Sequence, residues 1–490
     1  MTKHKPLIKL VMLLVVLTGS IACSSKEPQQ TPDPEPEIDL SLAERNAERA
    51  MNLFVNAKKV WFSQDGTAMS RYYNPFTGNK SGEKASVWMY TSAIEAANAI
   101  LKSLAVLKDA GSPELYERHH LRYETILSEL VDNLEYYAGT YTLTSYTQTK
   151  EWTVYGVNRS SAKGCANVQG RENVYDDQQW LIRELLESYH LTGDSKYLEK
   201  AEYLTSYVLD GWDTTLDEEG NEHGGIVWGP GYYTKHSCSN GPFISPLVWL
   251  SQIYTNSGKT IEYRYIGQDR QRLSKSMDKS EYYLMYAKKV YDFQKSHLFL
   301  KSKGVYWDML GAKGANGDNI AYETVDGVRY RAHNEEENPT GEAYSYNCGT
   351  MLSGAADLYD ITGDDMYLTD MTSLSTSTFL YFAKKSANNP SLYEYDITGF
   401  NNWFNGVLLR GWVDVSPFYT NVGLNVCSFQ NNLDYAYSNY LKDGILPPSL
   451  LYGWSSQEAN NNMEGMFAFT FAAEYAVLAK YQTQVNNPNL

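Results

Sequence analysis

The sequence predicts an all-α protein, an (α/α)6 toroid in which six helical hairpins are wound into a ring. Three observations lead to this fold class. Apolar residues recur with helical spacing in about twelve segments of the 490-residue chain. The loops between these segments alternate between very short and long, and one hairpin sequence occurs twice.

The helical segments are expected near residues 40–61, 85–109, 114–137, 174–192, 195–211, 240–256, 279–298, 346–361, 364–386, 401–415, 419–439 and 460–483. The long loops are 62–84, 138–173, 212–239, 299–345 and 440–459, and they are rich in glycine, aromatic and charged residues. Loops of this length in a compact domain usually carry function. In a ring of hairpins the even-numbered helices are inner, so their N-termini and the long loops share one face.

An internal repeat supports the hairpin organisation. Residues 185–198 read LLESYHLTGDSKYL, and residues 355–368 read AADLYDITGDDMYL. In both, a Thr-Gly-Asp turn follows a tyrosine and precedes Tyr-Leu at matching spacing. Gly193 and Gly363 are predicted just beyond the end of a helix, where glycine is favoured.

Residues 1–22 have the pattern of a signal peptide. Lys3, Lys5 and Lys9 flank the start of an apolar run, and small residues follow up to Cys23. The Ser-Ile-Ala-Cys ending is similar to that of bacterial lipoproteins, with Cys23 as the lipidated residue; an ordinary secreted protein is the alternative. Residues 23–38 are expected to form a disordered, acidic, proline-rich tether. Residues 39–490 then form a single domain.

The charge of the chain limits its partners. The net charge is −16, and removal of the leader with its three lysines makes it more negative. This balance argues against nucleic acid and against polyanionic polysaccharides. A neutral substrate fits better, and 41 tyrosines and 11 tryptophans offer aromatic faces that suit sugars, although such residues are also common in cores.

The remaining cysteines do not have the spacing of a metal site. In an oxidising compartment they could form disulfides whose pairing the sequence does not reveal, and buried free thiols are an equal alternative. These cysteines are Cys165, Cys238, Cys348 and Cys427.

The starts of the inner helices are rich in Ser, Asn and aromatic residues. They begin near Ser86, Asp176, Asn240, Asn347, Asn402 and Asn462. Each polar residue alone is explained by capping of its helix. Their recurrence on one face indicates a polar, aromatic-lined cup of the kind that binds sugars.

The stretch 173–180, Asn-Val-Tyr-Asp-Asp-Gln-Gln-Trp, brings two carboxylates to the start of an inner helix. Asn173 is the expected N-cap, which places Asp176 at the third helical position. A pair of neighbouring acids is the minimum equipment for glycoside hydrolysis. The competing interpretation is structural, because the helix dipole alone favours acids in a first turn.

These motifs together resemble glycoside hydrolase family 76. The resemblance rests on Tyr-Asp-Asp-Gln-Gln-Trp at 175–180, Gly-Gly-Ile-Val-Trp at 224–228, Ser-Asn-Gly-Pro at 239–242, Gly-Val-Tyr-Trp-Asp at 304–308 and Ser-Tyr-Asn-Cys-Gly at 345–349. They occur in the family's order across residues 40–483. The resemblance implies an (α/α)6 endo-α-1,6-mannanase that retains anomeric configuration. The insertions 258–278 and 311–343 depart from the family pattern.

The resemblance also implies roles for residues. Asp176 would be the nucleophile and Asp177 the general acid and base. Asp308, Asn240 and Asn347 would bind sugar hydroxyls, with a loop-capping or helix-capping role as the alternative. Further substrate contacts are expected from seven aromatic residues, of which several would be packing residues: Tyr175, Tyr346, Trp228, Tyr232, Trp307, Trp403 and Trp454.

The implied partner is neutral α-mannan, bound by a monomer without cofactor or metal. His223 and His236 are interpreted as surface or substrate-contact residues, and Glu335 to Glu337 as a solvated loop face. The expected location is the bacterial cell envelope, as an outer-membrane lipoprotein on the surface or the periplasmic side. Two alternatives remain: a non-catalytic glycan-capturing lipoprotein, and another (α/α)6 enzyme acting on acidic glycans, which would need basic residues around its site.

Overall fold

The fold is seen in a computed structural model that describes residues 41–313 and 320–486. Cys23, the leader and the tether therefore lie outside the described residues. The described part contains twelve α-helices: α1 (Ser41–Trp61), α2 (Val87–Asp109), α3 (Glu114–Asn133), α4 (Tyr175–Thr192), α5 (Ser195–Leu209), α6 (Ile244–Tyr254), α7 (Lys279–Leu298), α8 (Ser345–Thr362), α9 (Asp365–Phe382), α10 (Asn401–Val415), α11 (Gly423–Tyr440) and α12 (Gly465–Asn486).

The even-numbered helices form a closed inner ring. Each contacts the next in the order α2, α4, α6, α8, α10 and α12, and α12 closes the ring on α2. Outside them, each of α3, α5, α7, α9 and α11 forms a hairpin with the inner helix that precedes it, and α1 packs mainly on α12. The predicted (α/α)6 toroid of six hairpins is therefore confirmed.

The repeated hairpin has the same turn in both copies. Gly193 and Gly363 adopt left-handed backbone angles, with φ of 71° and 64°, directly after α4 and α8. Asp194 and Asp364 then cap α5 and α9 by accepting a backbone N–H in the first turn. A residue with a Cβ would be strained at these glycine positions.

Several helix starts differ from the prediction. The eleventh helix begins at Gly423 and not at 419, and the twelfth begins at Gly465 and not at 460. The sixth helix begins at Ile244 and not at Asn240, because residues 237–243 form two short 3-10 turns ahead of it. The N-cap of α4 is Val174, which provides no side-chain cap, and the amide of Asn173 instead donates to the carbonyl of Val168. Asp176 is therefore the second helical residue and Asp177 the third.

The segments between the helices contain short strands that helical periodicity did not predict, and two of them, β13 and β15, replace the ends of predicted helices. They pair antiparallel, mostly as local hairpins, because only a few residues separate the two partners. The strands are β1 (Tyr72–Tyr73), β2 (Ala138–Thr144), β3 (Thr149–Tyr155), β4 (Lys235–His236), β5 (Thr260–Ile266), β6 (Arg272–Asp278), β7 (Phe299–Leu300), β8 (Val305–Tyr306), β9 (Met309–Ala312), β10 (Tyr322–Val325), β11 (Val328–Arg331), β12 (Glu336–Thr340), β13 (Lys384–Lys385), β14 (Tyr393–Glu394) and β15 (Met463–Glu464).

A buried ion cluster joins the 212–239 loop to the 299–345 loop. Lys235 is 3 % exposed and pairs with Asp213 and with Glu336, and it also donates to the carbonyl of Gly224. His333 contacts the same Asp213 carboxylate. The interpretation of Glu336 as part of a solvated loop face is therefore wrong, because its carboxylate compensates a buried ammonium.

Cys165 is an exposed free thiol, and Cys238 and Cys348 are buried free thiols.

None of the helices within residues 41–313 and 320–486 combines the length and the apolar character needed to cross a bilayer.

Candidate active site

The acid pair lies at the N-terminus of α4, on the face where the inner helices begin. The backbone N–H of Tyr175 donates to the carbonyl of Trp228 at 2.8 Å, so the 212–239 loop is fastened to the first turn of the helix. The N–H of Asp177 donates to the carboxylate of Asp176 at 2.9 Å. Asp176 is partly exposed, whereas Asp177 is only 7 % exposed.

Both carboxylates line a cavity of about 650 Å³, within the usual range for ligand sites. Its walls come from the starts of α2, α4, α8 and α10 and from the loops above them. Five other residues predicted from the sequence to bind substrate line the same cavity: Asp308, Trp228, Tyr232, Tyr346 and Trp403. The starts of four inner helices therefore form the expected cup, whereas the starts of α6 and α12 do not line it.

Asp308 enters the cavity from the segment between β8 and β9. The carbonyl of Asp308 accepts from the N–H of Ser237 at 2.7 Å, which fixes the backbone beside the acid pair's loop. Gly341 lies against its side chain, and a Cβ at Gly341 would come within 2.7 Å of the Cβ of Asp308. A larger residue at 341 would therefore displace Asp308.

Three predicted aromatic residues pack elsewhere. Tyr175 is 1 % exposed and packs on Tyr207 in the core, with 5.1 Å between ring centroids. The backbone N–H of Trp307 donates to the carbonyl of Leu298 at the end of α7, and its carbonyl accepts from the hydroxyl of Ser237. The ring of Trp307 packs against the core outside the cavity lining. Trp454 donates its indole N–H to the carbonyl of Tyr440 at 2.8 Å and likewise does not line the cavity.

The two predicted asparagines are fully buried outside the cavity lining. The side-chain amide of Asn240 bonds the backbone of the 212–239 loop. It accepts from the N–H of Ile226 and donates to the carbonyls of Ile226 and His236. The amide of Asn347 makes no hydrogen bond with any described residue. Neither side chain is presented to a ligand in the 650 Å³ cavity.

Sequence reasoning missed several aromatic residues of the cavity. They are Trp88, Trp180, Tyr344, Phe400 and Phe404. The signal was available, because Trp88 and Phe404 lie in first turns of inner helices, as Trp403 does. Trp180 follows Asp176 by four residues and so shares its side of α4.

Trp403 is the centre of an aromatic cluster at the cavity wall. Its ring lies 4.7 Å from that of Trp180 and 5.2 Å from that of Trp88, both edge to face. Its indole N–H donates to Glu95 at 3.1 Å, and Glu95 also pairs with Arg410. Phe404 continues the wall by stacking on Tyr346 at 4.2 Å. The cavity therefore combines rigid apolar faces with carboxylates.

The two carboxyl groups of the pair have different pKa values. Burial raises the pKa of Asp176 to about 6, while contacts from the Cys238 thiol and the Trp228 indole work in the opposite direction. The indole N–H of Trp228 lacks the geometry of a full hydrogen bond to any described residue. Burial and the charge of Asp176 raise the pKa of Asp177 well above its ordinary value. The negative charge of Asp176 therefore favours the retention of a proton on Asp177.

Two further titratable groups face the cavity. Burial, followed by the charge of Asp176, raises the pKa of Asp308 to about 6. Burial lowers the pKa of His236 to about 4, so this imidazole is neutral and stacks on Trp228 at 4.7 Å. His236 therefore belongs to the cavity, whereas His223 stacks on His333 at 3.5 Å in the neighbouring loops.

Two adjacent acids in an aromatic cavity at the mouth of an (α/α)6 ring are the arrangement expected of a glycoside hydrolase. The family model described as glycosyl hydrolase family 76 matches residues 96–258 and 270–422. The chain belongs to glycoside hydrolase family 76.

Solved structures of the family have the same fold. A family 76 glycoside hydrolase (mannosidase) from Bacteroides thetaiotaomicron is 20 % identical, with a TM-score of 0.62 over 89 % of this chain and 98 % of that chain. The GH76A α-1,6-mannanase from Salegentibacter sp. is 19 % identical, with a TM-score of 0.57 over 89 % and 99 %.

A third structure is an inactive Salegentibacter variant in which two adjacent aspartates are replaced by asparagine, in complex with α-1,6-mannotriose. It is 18 % identical, with a TM-score of 0.57 over 89 % of this chain and 99 % of that chain. No curated protein matches the chain.

Proposed function

We propose that the protein is a retaining endo-α-1,6-mannanase. The observation that carries this proposal is the pair Asp176 and Asp177, one a carboxylate near neutral pH and the other a held acid, at one wall of the aromatic cavity. The Salegentibacter variant supports it, because replacement of two adjacent aspartates accompanies loss of activity in a protein that holds α-1,6-mannotriose.

In the first step Asp176 attacks the anomeric carbon of a mannose unit. The bond to the glycosidic oxygen breaks, and Asp177 gives that oxygen its proton, so a free hydroxyl leaves. Asp176 becomes an ester and Asp177 a carboxylate. The unequal pKa values provide both forms at once, since the charge on Asp176 keeps the proton on Asp177.

In the second step the roles of Asp177 reverse. Esterification removes the negative charge of Asp176, so the repulsion that raised the pKa of Asp177 disappears. Asp177 can then take a proton from water while that water attacks the anomeric carbon. Two displacements at one carbon restore the α configuration, and both carboxyl groups return to their starting states.

The rest of the cavity suits a neutral sugar chain. Trp403, Phe404 and Tyr346 present rings to the apolar faces of pyranoses. Asp308 is positioned to accept hydrogen bonds from sugar hydroxyls beside the acid pair. We also propose that a lipid on Cys23 and the 23–38 tether hold this domain at the outer membrane, where it would process α-mannan as a monomer.

The pKa values predict the pH dependence of kcat/KM. Asp176 must be ionised to attack, so activity falls as the pH drops through about 6. Asp177 must be protonated, so activity also falls at alkaline pH, above the raised pKa of this group. The profile is measured with soluble α-1,6-mannooligosaccharides. As an internal control, Asp177→Asn should lose the alkaline limb of the profile. An acid limb at about pH 4, the range of an ordinary carboxyl, would contradict the assignment of Asp176 as the group that must be ionised.

The function is tested with linear α-1,6-mannan, with α-1,2- and α-1,3-linked mannooligosaccharides, and with a polyuronate. We expect cleavage of the α-1,6 polymer alone, with a mixture of short oligosaccharides early in the reaction. Early release of monosaccharide alone would indicate that the enzyme cleaves from the chain end (exo) and not within the chain (endo). Binding of the polymer without any release of sugar would refute the enzyme and favour a capture protein.

A further inference from the structure

Four aromatic rings that line the active-site cavity share one neighbour, the ring of Trp403. Its centroid lies between 4.7 and 6.2 Å from the centroids of these rings, which belong to Trp88, Trp180, Tyr346 and Phe404. We call these five residues the aromatic wall. Trp403 itself is only 3 % exposed, so most of its surface supports the other rings and a small part reaches the cavity. The orientation of Trp403 therefore determines the shape of the wall.

The indole of Trp403 is held by Glu95. Its N–H donates to Oε2 of Glu95 at 3.1 Å, while Oε1 of the same carboxylate accepts from the guanidinium of Arg410. The side chains of Glu95 and Arg410 are largely buried. A hydrogen bond to an ionised acceptor is stronger than one between neutral groups, and its preference for a linear geometry restrains the donor ring. The ion pair with Arg410 fixes the carboxylate in turn.

This hydrogen bond spans the inside of the ring of helices. Glu95 lies on α2, about two turns beyond its start, whereas Trp403 and Arg410 lie about two turns apart on one face of α10. Helices α2 and α10 are not neighbours in the ring, because α12 lies between them and contacts both. Glu95 therefore reaches across the interior to fix a residue of the aromatic wall.

Glu95 does not line the active-site cavity. Together with Arg410 it lines a different cavity of about 290 Å³, to which all six inner helices contribute residues. Trp403 and Trp180 line the active-site cavity, and neither of them lines the 290 Å³ cavity. Any effect of Glu95 on a bound sugar must therefore pass through other side chains, and the indole of Trp403 is the one that it bonds directly.

We propose that Glu95 is a positioning residue, whose carboxylate holds the indole of Trp403, and with it the aromatic wall, in the orientation that binds a sugar ring. The inference rests on the proposed function for the identity of the sugar. Glu95 contributes a fixed acceptor and takes no part in the proton transfers of the reaction. Loss of this acceptor leaves a buried N–H without a partner, so the indole is expected to turn toward solvent or another acceptor.

Paired substitutions test this role without leaving a buried charge uncompensated. Glu95→Met with Arg410→Met removes the acceptor and its cation together. Glu95→Gln with Arg410→Met contains the same replacement of Arg410 but keeps an oxygen that can accept from the indole. Lys102→Met with Glu187→Met is the matched control, because Lys102 and Glu187 form a 2.7 Å ion pair that lines the 290 Å³ cavity and not the active-site cavity. Circular dichroism and Tm establish that each variant is folded.

We expect the KM for soluble α-1,6-mannooligosaccharides to rise about three- to tenfold in Glu95→Met with Arg410→Met, the effect of one lost hydrogen bond. The kcat should stay within about twofold of the wild-type value, since the wall binds the sugar alike in the ground state and the transition state. Glu95→Gln with Arg410→Met should restore the KM.

The control pair distinguishes positioning from stability. Lys102→Met with Glu187→Met should leave the KM unchanged even if it lowers the Tm as much as the test pair does. Equal KM values in the test pair and the control pair would overturn the proposal. An equal rise of KM with Met and with Gln at position 95 would also overturn it, because the effect would then belong to Arg410.

A measurement without sugar separates this inference from the proposed function. Indole N–H signals of protein labelled with 15N-tryptophan are assigned by their loss in Trp403→Phe and Trp88→Phe. The Trp403 proton should resonate at lower field than that of Trp88, because only Trp403 has a carboxylate acceptor among the described residues. It should move to higher field in Glu95→Met with Arg410→Met and not in the control pair.

The outcomes of the two experiments are independent. A Trp403 signal at the field of Trp88, or one that ignores the loss of Glu95, would refute the positioning role even if the wild type cleaves mannan. A wild type that cleaves no mannan but shows the expected signals would refute the proposed function and leave Glu95 as the residue that orients Trp403.

Discussion

Asp176→Asn removes turnover of α-1,6-mannan, with an expected loss of at least about 10⁴-fold in kcat, because an amide cannot form the glycosyl ester. The fold should survive, because the substitution preserves the shape of the side chain. The carboxylate of Asp176 accepts the backbone N–H of Asp177 in the same helical turn, and the amide oxygen of asparagine can accept it as well. Initial rates on the polymer, measured against the Tm of each protein, check the result.

Asp365→Asn is the matched control for this experiment. Asp365 is also an acid in a first helical turn, at the start of α9 in the repeated hairpin. Its replacement removes the same favourable interaction with a helix dipole but leaves the cavity intact. Activity in Asp365→Asn should equal that of the wild type. Comparable activity in Asp176→Asn would mean that the acid pair is only a feature of a stable helix start.

Asp177→Asn lowers kcat on the polymer by about 10²–10⁴-fold, the usual contribution of a general acid and base. The loss should be much smaller for the first step on an aryl α-mannoside with a good leaving group, because such a group departs without a proton. Azide, which needs no general base, should then restore turnover.

The configuration of the azide product distinguishes the two carboxyl groups. In Asp177→Asn the azide replaces water in the second displacement, so α-mannosyl azide is expected. In Asp176→Ala the azide would occupy the place of the nucleophile, and a single displacement gives the β product. The assignment of Asp176 and Asp177 would be reversed if the two variants gave the opposite products.

The helical framework could be predicted because its signals are local. Each helix contains a long periodic run, and Gly193 and Gly363 mark turns whose left-handed backbone conformation favours glycine. The acid pair could be found for the same reason, since helix start and carboxylates are adjacent in sequence. The strands were missed because they are short and form within loops that helical periodicity does not describe.

The orientation of single side chains depends on the loops that cover the helix starts. Which side chains line the cavity was therefore predicted less well than the helices. Asn240 and Trp403 were both predicted at starts of inner helices, yet Asn240 bonds Ile226 in the 212–239 loop, whereas Trp403 lines the cavity. Trp454 bonds the carbonyl of Tyr440, a contact set by the path of the 440–459 loop. Such contacts join residues that no periodic pattern relates.

We propose that Asp176 and Asp177 act in two displacements on an α-1,6-mannosidic bond. The most direct measurement is proton NMR of the wild-type reaction with α-1,6-mannan, recorded before the new reducing ends mutarotate. We expect the first reducing ends to be α-anomers, and β-anomers should appear later by mutarotation. Reducing ends that are first β would show a single displacement by water and would contradict the role of Asp176 as nucleophile.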